Sequence, residues 1–198
     1  MIIKHQFLLT KHFFPNWKIN KLFIGTFNPE CGEKIDYYYR RKYNGFWRIL
    51  DKYNLQKMCL TNLKFDDLKI FMAENKFGCV DVIKSLSFLD ENKEKICGKG
   101  YSDSNLFTVK GYNREYNFEE IKTYIKLNKV QYVFSTWGKR CKPKEFRMKI
   151  LDFQNFCSIN RIKFIHLDSP SGRVYKQNNQ ANINSNWWEA LDKLFNPN

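Results

Sequence analysis

The stretch Lys18-Ile19-Asn20-Lys21-Leu22-Phe23-Ile24-Gly25-Thr26, continued by Phe27-Asn28-Pro29-Glu30, decides how this chain is read. A short apolar run that stops at a glycine is the pattern of a core strand. The small and polar residues that end it are the kind a sheet uses to present a site at its edge. Behind them stands "CGEKIDYYYRRKYNGFW", residues 31–47, aromatic and basic. Residues 31–44 have no clean period and read as a long loop: a lid, a nucleic-acid surface or a packed connection.

Two further runs repeat the first pattern. "VQYVFSTWG" (130–138) is a strand that stops at Gly138, and "RIKFIHLD" (161–168) is a strand that runs into "SPSGR". Between the strands lie amphipathic segments. Residues 44–54 place Phe46, Ile49, Leu50 and Tyr53 on one side with Asn44 as a cap. Residues 62–76 bring Phe65, Leu68 and Met72 to helical spacing. Residues 117–129 carry Asn117 and Glu120 as a capping-box variant, with Ile121, Tyr124 and Ile125 inward. Residues 143–160 start at a proline and align Phe146, Ile150, Phe153 and Cys157. A last helix is expected over 184–195, residues 77–90 read as strand or loop, and 91–117 is the least regular part. Strands alternating with helices predict a single α/β domain spanning 1–198, a three-layer α/β/α sandwich around a short, largely parallel sheet. Ligands of such sheets sit beyond the carboxyl ends of the strands. Those ends are Gly25–Pro29, Ser135–Gly138 and Asp168–Arg173.

With 198 residues, 43% of them hydrophobic and 17% aromatic, the chain has ample material for a core. Its 34 Lys and Arg against 20 Asp and Glu give a formal charge of +14, which attracts polyanions. Biased composition is the plainer account of that charge. The cysteines at 31, 59, 79, 97, 141 and 157 form no CxxC pair, and there are 3 histidines, so a zinc site is not expected. The cysteines read as reduced thiols of an intracellular protein. No apolar run is long enough for a membrane span, and "MIIKHQFLLTKHFF" has no signal-peptide core.

The strand ends and the block behind the first resemble the uracil-DNA glycosylase superfamily, nearest to its hypoxanthine- and uracil-removing branch, with features of the mismatch-specific uracil/thymine enzymes. The resemblance is carried by Gly25-Thr26-Phe27, Tyr38-Tyr39, Arg40-Arg41 and Asn44-Gly45-Phe46-Trp47. Further matches are Gly78-Cys79-Val80-Asp81-Val82, Tyr101-Ser102-Asp103-Ser104 and Leu167-Asp168-Ser169-Pro170-Ser171-Gly172-Arg173. Together they cover roughly residues 20–190. The chain departs from the family where His-Pro is replaced by Lys42-Tyr43, and in its Phe-Asn-Pro-Glu turn.

The resemblance implies a monofunctional DNA glycosylase for a deaminated base, uracil or hypoxanthine, without cofactor or metal and acting as a monomer on DNA. A non-catalytic nucleic-acid-binding protein of the same fold is the alternative. Such an enzyme takes the nucleotide out of the stack, holds the base edge and places a water at C1′. Asn44 is the first candidate for positioning the water or the base, and Asn28 the rival; an Asn acts by position, having no suitable pKa. In the bland reading, Asn44 caps a helix and Asn28 makes a turn. Gly25, Thr26 and Phe27 would line the base edge by backbone. Phe46 would stack on the base, unless it is simply core. Arg40, Arg41, Lys139, Arg140, Ser169, Ser171, Gly172 and Arg173 are the expected DNA contacts.

Overall fold

The computed structural model describes residues 1–53, 59–98, 103–108, 111–137, 144–170, 187, 189–192 and 195. Strand β1 (Ile2–Lys4) is followed by β2 (Lys21–Gly25), α1 (Phe46–Tyr53), α2 (Phe65–Glu74), β3 (Phe77–Asp81) and β4 (Ile83–Ser87). Then come α3 (Lys93–Cys97), α4 (Asn105–Thr108), β5 (Asn113–Tyr116), α5 (Phe118–Asn128), β6 (Tyr132–Ser135), α6 (Lys144–Ile159) and β7 (Lys163–His166).

Four strands form a parallel sheet in the order β3-β2-β6-β7. All of β2 and β3 is buried, as strands covered on both faces must be. The period of 2 along β2 splits its side chains between two cores. Leu22 and Ile24 join Val80, Val133 and the inward faces of α5 and α6, including Ile121, Ile125, Phe146 and Phe153. Phe23 faces the other way, with Phe77, Cys79, Phe134 and the inward faces of α1 and α2, including Phe46, Leu50, Leu68 and Met72. This is the expected α/β/α sandwich. The connection from β2 leads to β3 on one side, whereas β6 pairs on its other side, so the strand order turns at the β2–β6 boundary.

A second sheet was not expected. β1, β4 and β5 form an antiparallel three-stranded sheet in the order β1-β4-β5. Residues 77–90 thus resolve into two strands of different sheets, with Val82 between them. A register irregularity between Ile83 and Ser85 breaks the alternation, so Ile83 and Leu86 are both buried although three apart. That break hid the strand from a period-2 reading.

Two expectations need correction. Asn117 stands at the N-cap position of α5 but its side chain makes no cap hydrogen bond. Its Nδ2 donates instead to the Asp81 carbonyl, 3.2 Å away, and Glu120 pairs with Lys84 at 2.7 Å. The cysteines are not all reduced: Cys31 and Cys97 are joined by a disulfide. Their Cα atoms lie 5.2 Å apart across a sequence separation of 66, a distance within bridging range that no local spacing could reveal. Among the described residues, no helix is long and apolar enough to cross a membrane.

The remaining described thiols differ sharply in access. Cys59 is exposed, while Cys79 and Cys157 are buried. Burial, with the Asp81 carboxylate second, pushes the Cys79 thiol well above its ordinary pKa. Burial pushes the Cys157 thiol up to about 12. Because the thiolate is the reactive form, brief alkylation at mildly alkaline pH should modify Cys59 and spare Cys79 and Cys157. Peptide mass mapping reads the result, and Cys31 and Cys97 should become modifiable only after a reductant is added.

Candidate functional site at the carboxyl edge of the parallel sheet

Gly25 ends β2 opposite Asp81, the last residue of β3. The edge is extended by backbone hydrogen bonds from Thr136 N–H to the Ile24 carbonyl at 3.0 Å, and from Leu167 N–H to the Ser135 carbonyl at 2.8 Å. The ends of β2, β3, β6 and β7 therefore lie side by side.

Asp81 is the buried acid of this edge, its side chain 3% exposed. One oxygen, Oδ2, receives His5 Nε2 at 2.9 Å and Asn28 Nδ2 at 2.7 Å. The Phe7 backbone N–H donates to His5 Nδ1 at 3.0 Å. Nδ1 is thus an acceptor, which puts the ring proton on Nε2, facing the carboxylate. The rings of Phe7, Phe13, Phe27 and Tyr38 surround His5 at centroid distances of 5.1–5.8 Å. His5 reaches this position because β1 and its continuation run along the loop after β2. Gln6 N–H donates to the Asn28 carbonyl at 2.8 Å, and Glu30 N–H to the Lys4 carbonyl at 3.0 Å.

Asn28 is consequently oriented. Its amide nitrogen is committed to Asp81, which turns Oδ1 away. Among the described residues that oxygen has no partner, and the residue is half-buried. Asn44 is differently employed: its Oδ1 accepts the Phe46 N–H at 2.9 Å, capping α1.

Tyr39 joins the remaining pieces. Its φ of 63° is left-handed, a costly conformation for a bulky residue. The backbone there is held by its neighbours: Trp47 Nε1–H donates to the Tyr38 carbonyl at 2.9 Å, and Tyr38 O–H to the Phe13 carbonyl at 2.9 Å. The Tyr39 ring stacks on Phe46 with centroids 4.2 Å apart and planes at 15°. Its hydroxyl lies 3.1 Å from Thr136 Oγ1, which itself donates to the Ile24 carbonyl, so Tyr39 donates to Thr136. Burial, then the nearby Cys79 and Asp81, pushes the Tyr39 phenol well above its ordinary pKa and keeps it a donor.

The expected site residues divide accordingly. Gly25, Thr26, Phe27 and Asn28 lie at the sheet edge, where Thr26 Oγ1 donates to Asp103. Asn44, Gly45 and Phe46 are brought to Ser169-Pro170 by the Gly45 N–H, which donates to the Pro170 carbonyl at 2.6 Å. Phe46 has no exposed surface. Its ring is core, meeting Phe23, Trp47 and Trp187 besides Tyr39. Arg40 is drawn away from the edge: its guanidinium donates to the Leu60 and Leu63 carbonyls at 3.3 and 2.9 Å and pairs with Asp36 at 3.2 Å. Arg41 is half-buried beside Gly32. Lys139, Arg140, Ser171, Gly172 and Arg173 lie outside the described residues.

His5, Asp81 and Tyr39 are the residues to which sequence reasoning assigned no role. Tyr39 and Asp81 stood in matched motifs without one. The alternation Ile3, His5, Phe7 inward against Lys4 and Gln6 was a legible sign of a strand carrying a buried histidine. Among the described residues, no group of acidic, Cys and His side chains could hold a metal ion.

No family model matches the chain, and no curated protein matches its sequence. Among solved structures it is similar to the solution NMR structure of a protein from Methanosarcina acetivorans provisionally named a uracil DNA glycosylase. The TM-score is 0.59 at 18% identity, over 98% of this chain and 99% of that one. The likeness is one of fold, over its whole length.

Gly25 is where the arrangement is tightest. A Cβ there would stand 2.2 Å from Asp81 Oδ1, whose carboxylate is held through Oδ2, and 2.8 Å from the Tyr39 hydroxyl, held by Thr136. Gly25→Ala should therefore lower the unfolding free energy by roughly 1–3 kcal/mol, measured by urea denaturation. An unchanged midpoint would mean that both groups move aside freely.

Proposed function

We propose that the chain is a monofunctional DNA glycosylase that hydrolyses the N-glycosidic bond of a deaminated base, uracil or hypoxanthine, in base-excision repair, acting as a monomer. The observation that carries this reading is Asn28. Its amide is aligned by a buried carboxylate at the turn of the strand order, and its carbonyl oxygen has no partner among the described residues. The fold likeness to a protein provisionally named a uracil DNA glycosylase supports it, as does the charge of +14.

In this mechanism the C1′–N bond breaks and its electron pair leaves with the base, so positive charge develops on the sugar. A water held by the Asn28 carbonyl adds its oxygen to C1′, and the proton it loses passes through solvent to the departing base. Asn28 holds the water by position and removes no proton. Asp81 and His5 hold Asn28. Gly25, Thr26 and Phe27 present backbone to the base edge. Asn44 serves by capping α1 and, through Gly45, by tying that helix to Pro170. Arg41, Lys139, Arg140, Ser169, Ser171, Gly172 and Arg173 are proposed phosphate contacts.

A second reading is favoured by one observation. Tyr39 lies flat on Phe46, the face on which an extruded base was expected to stack. A protein with that face occupied binds nucleic acid without hydrolysing it.

Single-turnover base release from oligonucleotides carrying uracil, hypoxanthine or xanthine separates the two. Asn28→Ala should slow release by roughly 10²-fold, about 3 kcal/mol of transition-state stabilisation. Asn44→Ala should cost roughly 1 kcal/mol of stability and leave the rate near wild type well below the melting temperature. Reversed effects would move the catalytic role to Asn44. Wild-type protein that binds these oligonucleotides and releases no base supports the non-hydrolytic reading.

A further inference from the structure

Aromatic residues make up 17% of this chain, and every one whose burial the structure describes is buried or half-buried except Tyr43, which is 68% exposed. An exposed phenol ring, where the other aromatic rings of described burial are hidden, calls for a partner. Its surroundings indicate which.

Tyr43 sits at the tip of a tight turn, Arg41-Lys42-Tyr43-Asn44, closed by the Asn44 N–H donating to the Arg41 carbonyl at 2.9 Å. Lys42 and Tyr43 are the two central residues and so project together. The Lys42 ammonium stands 5.7 Å from the Tyr43 ring centroid. The turn is held on each side. Lys42 N–H reaches a Glu33 carboxylate oxygen at 3.3 Å, Asn44 Oδ1 caps α1, and the next residue bonds to the Pro170 carbonyl. A pinned turn holds the ring at small entropic cost on binding. Tyr39 and Gly45 bracket the turn, and both contact the sheet edge that carries Asn28. The tip therefore stands at the rim of the candidate site, with Arg41, Lys42 and Arg48 close in sequence.

A flat, exposed aromatic ring beside cations, on a rigid tip at the rim of a site, suits a flat π-system joined to a polyanion. We infer that Tyr43 is a stacking platform for an unpaired nucleobase of a DNA strand, with Lys42 meeting the adjacent phosphate. This rests on the nucleic-acid part of the proposed function and not on its hydrolytic part.

The test uses the full chain with two single-stranded probes of equal length, oligothymidylate and a baseless tetrahydrofuran backbone, with affinities read by fluorescence anisotropy across a salt series. Wild type should prefer the probe with bases. Tyr43→Ala should weaken oligothymidylate binding by about 10-fold, the usual effect of losing one stacked base, and barely change binding of the baseless probe. Tyr43→Phe and Tyr43→Trp should stay within about 2-fold of wild type, since both keep a stacking face. The salt slope should be unaltered by Tyr43→Ala and reduced by Lys42→Ala, because only the latter loses a phosphate contact.

Equal affinity of wild type and Tyr43→Ala for oligothymidylate overturns the inference, as does equal loss for both probes. If base release proceeds at wild-type rate in Tyr43→Ala with affinity unchanged, the stacking role fails and the glycosylase reading stands. If stacking is observed and no deaminated base is released, the glycosylase reading fails and the platform stands. Wild type that binds neither probe at low salt overturns both.

Discussion

A carboxylate taken out of water has to be met by donors from the protein, and Asp81 is such a carboxylate at the end of a fully buried strand. Most of the organisation of the sheet edge is the answer to that requirement. His5 supplies one donor, which brings the N-terminal strand across the loop after β2. Asn28 supplies another, which fixes the orientation of its own amide. Asn117 satisfies the Asp81 backbone carbonyl, which places the start of α5. Gly25 leaves open the space that Asp81 Oδ1 and the Tyr39 hydroxyl occupy. One buried charge thus couples four segments remote in sequence, and the carbonyl oxygen of Asn28 is left with no partner among the described residues.

The second organising element is the run Tyr37-Tyr38-Tyr39. Tyr37 and Tyr38 are completely buried, and the chain then turns through a left-handed residue that points Tyr39 back to the sheet edge. The unfavourable backbone at Tyr39 is offset by ring stacking on Phe46 and by the hydrogen bonds that hold Tyr38 on either side. A loop of this length in a compact domain is uncommon unless it is packed or functional. This one is packed at Tyr37 and Tyr38, exposes charged side chains at Glu33, Lys34 and Asp36, and exposes an aromatic ring at Tyr43, where the turn joins the capped start of α1.

The disulfide between Cys31 and Cys97 belongs to the same economy of loops. It ties the segment just after Asn28-Pro29 to α3, close in sequence to Asp103, which receives the Thr26 hydroxyl. The described residues 91–98 and 103–108 therefore back the loop that carries Asn28. Their short helices bury few side chains, Ile96 and Leu106 among them, and their position comes from these cross-links.

What the sequence determined by itself was whatever depends on local burial. The runs Leu22–Ile24, Val133–Phe134 and Phe164–Ile165 are strands because alternate side chains enter different layers. The helical stripes of α1, α2, α5 and α6 are visible because one face of each is buried. From these the α/β/α sandwich, its parallel sheet and the strand ends that carry Gly25, Asn28 and Ser135 could all be read. Only the tertiary structure decided the rest, because a polar side chain's role is set by its partner and partners are chosen through space. Asn28 and Asn44 look alike in sequence; one meets a buried carboxylate 53 residues away and the other the amide two residues on. Arg40 looked like a phosphate ligand and is held by carbonyls near residue 60. Strand β1 lacked a hairpin partner nearby, since its neighbour β4 lies some eighty residues along the chain. Periodicity records which side of an element is dry; it carries no record of what stands on the other side.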